Sequence, residues 1–505
     1  MKRTTKLLTA LCAFVLVMQA SLTAMAATYT LTLNNTGATQ HTFEVYQIFT
    51  GDLSLNASSQ RVLSNIVWGS GVTAAGQAAM GSAADKAETI LTEADASAFA
   101  NALVGGTGYL AAPLTQVVAA GSAATITGLD PGYYLIKDLD ASQSGESSAY
   151  TAYMLEVVGD ATATTKLSTP TVTKKVQDIN NTGDGDISDN PWQDSADHDI
   201  GDTIPYQITG TLPSNFADYA TYYYQFSDTM SAGLTYQADA RVFVDGTDVT
   251  SQVVLSPTVV TPGATLTVTI PDLKALTGVT PTAASTVTVS YTAVLNSSAV
   301  TGSAGNANTV YLTYSNNPNP GGGGETGTTP TDKNVVFTYQ FVVNKVDESN
   351  TPLPNAGFTL YKKDASGTWQ VVETIAAGAA TTFTFKGLDD GDYKLEETEV
   401  PTGFNKISDV EFSISATHDT TSPDPTLTNL NGATADGDTI NLTATQQATV
   451  SLSTGTISVT IQNKAGSVLP STGGIGTTIF YAVGGVLVVG AAVLLIVKRR
   501  MKAEE

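Results

Sequence analysis

The sequence predicts a mainly β protein: an elongated series of immunoglobulin-like β-sandwich domains, with some helix in the first domain and one transmembrane helix at the C-terminus. Three observations support this prediction. Apolar and polar residues alternate in short segments along most of the chain, as they do in strands with one buried face. The length of 505 residues is sufficient for about three domains. The uncharged segment 475–497 is long enough to cross a bilayer as a helix.

Composition excludes several classes of function. The net charge is −23, which argues against nucleic acid as a partner because phosphate binding needs clustered cations. The hydrophobic content of 42% is too high for a disordered chain, although only 14% of the residues are charged. Cys12 is the only cysteine, so a disulfide framework and a cysteine-based zinc cluster are both excluded. We therefore expect an extracellular β protein without a cofactor or a bound metal.

The N-terminal segment 1–26 has the parts of a secretory signal peptide. Lys2, Arg3 and Lys6 precede an apolar run, and a small-x-small site ends at Ala26. We expect cleavage after Ala26. Because Cys12 lies in the removed segment, the mature protein should contain no cysteine.

The C-terminal segment 466–505 carries three features in a fixed order. The apolar stretch 475–497 is followed by a basic tail, which favours a cytoplasmic position for the tail. A pentapeptide precedes the stretch, made of Leu469, Pro470, Ser471, Thr472 and Gly473. A plain membrane anchor would need no pentapeptide, whereas the complete arrangement resembles the sorting signal of Gram-positive proteins that sortases attach to the cell wall. The resemblance implies cleavage between Thr472 and Gly473, transfer of the Thr472 carbonyl to an amine, and a precursor held only transiently in the plasma membrane.

Three modules lie between the two ends. The first domain, 27–168, opens and closes with alternating strands and contains an Ala-rich stretch at 85–103 whose apolar spacing suits one or two helices. The second domain, 169–317, has the pattern of strands throughout. The segment 318–334 is rich in Gly, Pro and Thr and is predicted to be a linker. The third domain, 335–465, is again all-β.

Three polar residues of the third domain fall on apolar strand faces. Lys345, Glu397 and Asn463 each alternate with apolar neighbours and should point into one core, where an unpaired charge is costly. A protonated carboxyl can polarise the Asn amide, and a neutral buried Lys can attack it. The attack expels ammonia and leaves a Lys–Asn isopeptide bond. A buried salt bridge beside a hydrogen-bonded Asn is the alternative.

These residues belong to segments that resemble B-type collagen-adhesin (Cna B-type) repeat domains. Segments 344–347 and 354–361 resemble the opening of such a domain, 393–397 resembles its Tyr-x-Leu-x-Glu box, and 461–464 resembles its closing strand. Phe404 stands where the family usually has Tyr. The resemblance implies that Lys345 and Asn463 are joined and that Glu397 assists. Its neighbour Glu396 has the opposite parity and is the weaker candidate.

The second domain shows a similar pattern. Lys174 alternates with valines, which favours it over Lys175, and Asp202 stands at the start of a strand. Asn308 shares its parity with apolar residues, and Asn306 competes with it. The pattern resembles the second domain of Gram-positive backbone pilins, whose isopeptide bond uses Lys, Asp and Asn. We therefore expect a Lys174–Asn308 bond assisted by Asp202; ordinary polar strand ends are the alternative.

Lys166 lies in a polar segment between the first two domains, where an enzyme could reach it. In backbone pilins, a lysine near this boundary accepts the sorting-signal Thr of the next subunit. The usual Tyr-Pro-Lys motif is replaced here by Thr-Thr-Lys. The resemblance implies an intersubunit bond between Lys166 and Thr472, and an ordinary linker lysine is the alternative.

One acidic loop resembles a calcium-binding loop only at its start. The segment 178–189 begins with suitably spaced Asp and Asn residues, but its fifth and twelfth positions are Thr182 and Asp189 rather than the expected ligands. The pattern therefore favours a solvated acidic loop.

Together these features resemble the major subunit of a sortase-assembled pilus. The expected function is structural: a covalently polymerised fibre, anchored to the cell wall, that also supports adhesion. The expected chemistry is self-directed and single-turnover, so the chain is not expected to be an enzyme. Expected partners are a pilus-type or housekeeping sortase, further copies of the chain, minor pilins, peptidoglycan and a host surface ligand. A monomeric wall-anchored adhesin or a minor pilin is the alternative.

Overall fold

A computed structural model describes residues 28–179, 191–319, 324–434, 441–443, 446–466 and 475–501. The described chain forms three successive β modules followed by one long helix, so the predicted mainly β fold class is confirmed. The predicted signal peptide, most of the acidic loop and the sorting pentapeptide lie outside the described residues.

The first module packs two sheets against each other and three helices against the larger sheet. Its smaller sheet has the order β5-β1-β9, and its larger sheet has the order β3-β2-β6-β8, with β4 paired to β2. The predicted one or two helices are three short ones, α1 (Ala74–Met80), α2 (Ala83–Thr89) and α3 (Glu93–Val104). Each is preceded by a Ser or Thr whose side chain accepts a backbone N–H of the first turn. The strands are β1 (Tyr29–Asn34), β2 (His41–Leu55), β3 (Arg61–Trp68), β4 (Leu114–Val118), β5 (Ala123–Leu129), β6 (Gly132–Asp138), β7 (Gly145–Glu146), β8 (Ala152–Val157) and β9 (Ala161–Thr164).

The middle module is a sandwich of two large sheets. One has the order β11-β10-β13-β21-β15-β19, and the other has the order β12-β24-β22-β14-β20-β18. Alternating burial along β13 and β21 gives each strand one face in a core rich in buried tyrosines. The strands are β10 (Val172–Gln177), β11 (Trp192–Gln193), β12 (Ser195–Asp197), β13 (Thr203–Thr211), β14 (Tyr224–Met230), β15 (Leu234–Tyr236), β16 (Arg241–Val244), β17 (Thr247–Asp248), β18 (Val254–Ser256), β19 (Thr261–Pro262), β20 (Thr265–Ile270), β21 (Thr286–Leu295), β22 (Asn306–Ser315), β23 (Thr326–Thr328) and β24 (Asp332–Phe337). Single-turn 3-10 helices lie at Phe216–Asp218, Thr250–Gln252 and Leu273–Ala275.

The predicted linker at 318–334 is wrong over its second half. Strand β23 pairs with β22, and β24 joins the same sheet between β12 and β22. Composition favours a linker, but Asp332 Oδ2 accepts the backbone N–H of Lys174 at 2.6 Å, and Asn334 Nδ2 donates to the Lys174 carbonyl at 3.1 Å. These side chains satisfy the backbone of β10, so this segment is part of the middle module.

The third module pairs its first and last strands. Its four-stranded sheet has the order β28-β25-β35-β34, in which β25 and β35 are parallel neighbours. The facing sheet has the order β27-β26-β29-β30-β31, and Phe341 stacks on Phe412 between the two sheets at a centroid distance of 4.3 Å. The strands are β25 (Tyr339–Val346), β26 (Gly357–Lys363), β27 (Trp369–Ile375), β28 (Thr382–Leu388), β29 (Gly391–Glu399), β30 (Val410–His418), β31 (Leu427–Thr434), β32 (Asn441–Thr443), β33 (Gln446–Gln447), β34 (Thr449–Ser451) and β35 (Thr456–Gln462).

Polar contacts join the middle and third modules. Tyr339 donates its hydroxyl to Asp197 at 2.8 Å. Lys362 Nζ lies 2.5 Å from Asp199 Oδ2 and 3.4 Å from Asp389 Oδ2. The lysine ammonium supplies positive charge to an acidic cluster that could otherwise attract a metal ion.

The chain ends in α4 (Ile475–Met501). Within it, Ile479–Met501 is long and apolar enough to cross a membrane, and Lys498, Arg499 and Arg500 lie in its last turn. This helix agrees with the predicted C-terminal span.

Candidate functional site

The three polar residues predicted to share the core of the third module lie together in that core. Lys345 lies in β25, Glu397 lies in β29 of the facing sheet, and Asn463 directly follows β35. Each residue is at most 1% exposed. Lys345 Nζ lies 2.5 Å from Asn463 Oδ1, and Asn463 Nδ2 donates to Glu397 Oε1 at 2.8 Å. The amine therefore lies beside the amide carbonyl, with a carboxylate on the other side of the same amide.

The surroundings favour a reactive amine. Burial lowers the pKa of Lys345 to about 8, although the carboxylate of Glu397, 3.8 Å away, opposes part of this shift. The second oxygen of Glu397 accepts the backbone N–H of Ile407 at 3.1 Å, which fixes the carboxylate. A neutral lysine amine beside an amide carbonyl is the arrangement that nucleophilic attack requires.

The weaker candidate Glu396 lies outside this core. It contacts Lys406 Nζ at 2.9 Å and accepts the Tyr361 hydroxyl at 3.0 Å, and its side chain is 26% exposed. The strand parity that separated Glu396 from Glu397 in the sequence is thus seen in the structure.

The middle module contains a second buried cluster, built across its two sheets. Lys174 comes from β10 of one sheet, whereas Asp228 and Asn308 come from β14 and β22 of the other. All three residues are fully buried. Lys174 Nζ lies 2.7 Å from Asp228 Oδ1. The Tyr291 hydroxyl on β21 completes the cluster: it accepts from Lys174 Nζ at 2.6 Å and from Asn308 Nδ2 at 2.7 Å, and it donates to Asp228 Oδ2.

Aromatic rings enclose the Lys174 amine. The rings of Tyr206 and Tyr291 stack on each other, and their centroids lie 4.9 and 5.1 Å from Nζ. Burial lowers the pKa of Lys174, and the charge of Asp228 counteracts this shift only in part. The same physical conditions therefore act on Lys174 and on Lys345.

The prediction that Asp202 assists the reaction is wrong, because Asp202 lies far from Lys174 along the strand. Lys174 pairs with Ile208, six residues along the chain from Asp202, which corresponds to about 20 Å in an extended strand. Asp202 Oδ2 instead accepts the backbone N–H of Asp199 at 3.2 Å and lies 3.5 Å from His198 Nδ1. Asp228 occupies the place predicted for Asp202. Its alternation with buried Phe226 and Met230 marks it in the sequence as a core-facing residue, but does not indicate which lysine it faces.

The two alternative candidates of this module, Lys175 and Asn306, make other contacts. Lys175 has a 36% exposed side chain and pairs with Asp194 at 2.5 Å. Asn306 is buried, but its amide bonds the backbone of Val300 and Val336 and is not directed at a lysine. Lys174 and Asn308, in contrast, both contact the Tyr291 hydroxyl in the core.

Lys166 lies on the surface after β9, with a 65% exposed side chain. Its amine contacts the carboxylate of Glu93 at the start of α3, and the Glu93 side chain is 71% exposed. The predicted partner Thr472 lies outside the described residues, as do the other residues of the pentapeptide.

Comparison with known families accounts for most of the second half of the chain. Residues 200–318 match the family described as Gram-positive pilin backbone subunit 2, Cna-B-like domain. Residues 339–429 match the SpaA prealbumin-like fold domain, and residues 461–504 match the LPXTG cell wall anchor motif. The chain thus carries the domains and the cell wall anchor of a Gram-positive backbone pilin. This pilin is a structural subunit of a pilus, anchored to the cell wall and held in the membrane as a precursor.

Individual proteins agree with the domain matches. The pilin is 27% identical over 426 residues to the trypsin-resistant surface T6 protein of Streptococcus pyogenes serotype M6, covering 72% of this chain and 75% of the relative. Its fold resembles the solved three-domain T6 backbone pilin of the same serotype, with a TM-score of 0.56 at 20% identity, over 87% of this chain and 99% of the other.

Proposed function

We propose that this pilin is the repeating subunit of a covalent fibre and that two internal Lys–Asn isopeptide bonds brace it. The bonds would join Lys174 to Asn308 and Lys345 to Asn463. The observation that carries the proposal is that each of two modules holds a buried lysine, asparagine and carboxylate in one cluster. Lys345 contacts Asn463 directly, whereas Lys174 contacts Asp228 and shares the Tyr291 hydroxyl with Asn308. Such polar groups are costly in a core unless they are paired or consumed by reaction.

The internal reaction needs no external reagent. The lysine Nζ attacks the asparagine Cγ, a new N–C bond forms, the Cγ–Nδ2 bond breaks and ammonia leaves. In the third module, Glu397 Oε1 lies 3.8 Å from Lys345 Nζ and contacts Asn463 Nδ2, so that it can take a proton from the lysine and hand it to the departing nitrogen. Each molecule reacts once with itself, and we propose no turnover of another substrate.

The bonds would resist force in two different ways. In the third module the bond links the parallel neighbours β25 and β35, the first and last strands, and opposes their sliding apart. In the middle module it would cross from one sheet to the other and oppose their separation.

Polymerisation would use the exposed Lys166. A sortase cleaves the Thr472–Gly473 bond of one subunit and transfers the Thr472 carbonyl to Lys166 Nζ of the next. The exposure of Lys166, compared with the buried Lys174 and Lys345, supports its role as the amine that an enzyme reaches. Transfer to peptidoglycan would end the fibre, and minor pilins would attach to it.

The test of polymerisation is Lys166→Ala in the producing cell, with Lys86→Ala as the control because Lys86 lies in the same module, on α2. Wall extracts of the wild type and of Lys86→Ala should show a ladder of high-mass species, and Lys166→Ala should show monomer. A ladder that persists in Lys166→Ala would exclude Lys166 as the acceptor. A wild type without a ladder would favour a monomeric wall-anchored adhesin.

A further inference from the structure

The hydroxyl of Tyr291 touches every reacting group of the middle module. It lies 2.6 Å from Lys174 Nζ and 2.7 Å from Asn308 Nδ2, and it donates to Asp228 Oδ2. Tyrosine on an apolar strand face normally serves packing, and its hydroxyl seeks one partner. Three partners, all of them groups that react or exchange protons, indicate more than packing.

The third module shows what Tyr291 replaces. There, a single carboxylate oxygen, Glu397 Oε1, lies near both Lys345 Nζ and Asn463 Nδ2, at 3.8 and 2.8 Å. The middle module has an aspartate, which is shorter by one methylene. Asp228 Oδ1 contacts Lys174, whereas Oδ2 meets Asn308 only through the Tyr291 hydroxyl.

We propose that Tyr291 is a catalytic residue of isopeptide formation in the middle module, carrying a proton from Asp228 to the departing amide nitrogen of Asn308. The proposal rests on the Lys174–Asn308 bond proposed above. It assigns the two modules different proton paths: a direct one through glutamate and a relayed one through aspartate and tyrosine.

The protons balance along this path. Lys174 first gives one proton to the Tyr291 oxygen as the Tyr291 hydroxyl proton passes to Asp228 Oδ2, and the neutral amine attacks Asn308 Cγ. Tyr291 then donates its hydroxyl proton to Nδ2 and takes the proton of Asp228 through Oδ2. Asp228 accepts the second proton of the attacking nitrogen as the Cγ–Nδ2 bond breaks. The products are the amide, ammonia, a protonated Asp228 and an unchanged Tyr291 hydroxyl; ammonia can carry the remaining proton away as ammonium.

Two further observations suit this role. Burial raises the pKa of Tyr291 well above its ordinary value, so the phenol stays protonated and passes its proton on only as it takes the proton of Asp228. Among the described residues, Asn308 Oδ1 has no hydrogen-bond partner, so Tyr291 holds the amide by the nitrogen that must leave.

The experiment compares Tyr291→Phe with the wild type in the ectodomain processed at both ends, residues 27–472. Phenylalanine keeps the ring that stacks on Tyr206 and removes only the hydroxyl. Tyr222→Phe is the matched control, because the Tyr222 hydroxyl is buried in the same core without a hydrogen-bond partner in the described chain. The crosslinked peptide is quantified by mass spectrometry over time, and the bond of the third module serves as the internal standard.

We expect Tyr291→Phe to form the Lys174–Asn308 bond at least about 100-fold more slowly, the usual minimum for a lost proton-transfer group. Its Lys345–Asn463 bond and the Tyr222→Phe control should be unaffected. Equal rates in Tyr291→Phe and the wild type would overturn the role of Tyr291 and leave the bond itself intact. Absence of the bond in the wild type would instead refute the proposed bond. Circular dichroism distinguishes slow chemistry from misfolding, with Asn308→Ala as the folded reference that cannot form the bond. A Tyr291→Phe variant that is as well folded as Asn308→Ala but lacks the crosslink supports the proposal.

Discussion

Lys174 and Asp228 face each other across the sandwich of the middle module, with Nζ 2.7 Å from Oδ1 and both side chains fully buried. They come from opposite sheets, so their contact lies at the centre of the core. A buried charged pair contributes little net stability, because removing two charges from water costs about as much as their attraction returns. The proposed reaction would remove the lysine charge from the core, and with it the cost of keeping that charge away from water.

The role of Asp228 predicts a clear difference between two aspartates. Asp228→Ala should lose the Lys174–Asn308 bond, because no other carboxylate in the described chain contacts Lys174 Nζ. Asp202→Ala should keep the bond, since Asp202 directly precedes the first residue of β13 and lies six residues from Ile208, which pairs with Lys174. Mass spectrometry of tryptic peptides checks both variants. A crosslink in Asp228→Ala, or its loss in Asp202→Ala, would contradict the assignment.

The third module predicts the same kind of difference between adjacent glutamates. Glu397→Ala should leave Lys345 and Asn463 unjoined, whereas Glu396→Ala should retain the bond because Glu396 lies at the surface beside Lys406. The bond closes a loop of 118 residues, and its loss should lower the free energy of unfolding by up to about 5 kcal/mol on the loop-entropy model. Urea unfolding of both variants measures this loss in the free energy of unfolding. Equal stability of the two would argue against a crosslink at this position.

The lowered pKa of Lys345 predicts how stability depends on pH when the bond cannot form. In Asn463→Ala, the folded state holds Lys345 with a pKa of about 8, against 10.5 when unfolded. Between these values the unfolded chain binds more protons, so stability should rise with pH across this range, by about 3 kcal/mol in total. Below pH 8 the gain is absent.

Urea unfolding of Asn463→Ala at pH 7 and pH 10 tests this dependence. Other groups also titrate over this range, so the reference is the double variant Lys345→Met with Asn463→Ala, which lacks the amine. The difference between the two proteins should become more favourable to Asn463→Ala as the pH rises. A constant difference would mean that Lys345 is not held in a desolvating environment.

Strand parity was sufficient to predict much of the candidate site. Lys345, Glu397 and Asn463 alternate with apolar residues, and the pleat of a strand then directs all three into one core. The same rule separated Lys174 from Lys175, and the structure places the favoured lysine in the core.

Parity could not reveal which strands face each other. Asp228 has the right alternation, but its proximity to Lys174 depends on how two sheets stack, and the sequence carries no local signal for that. Tyr291 was missed because a tyrosine among alternating apolar residues is indistinguishable from a core residue. Strand β24 was missed because Thr, Pro and Gly precede it, and its pairing with β22 is a long-range contact.

The mass of the intact ectodomain reports on both proposed isopeptide bonds at once. Two Lys–Asn bonds release two molecules of ammonia, so the protein processed at both ends should be lighter than its sequence by that amount. Tryptic peptides should place the two losses at Lys174–Asn308 and at Lys345–Asn463. A mass equal to that of the unmodified sequence would rule out both bonds.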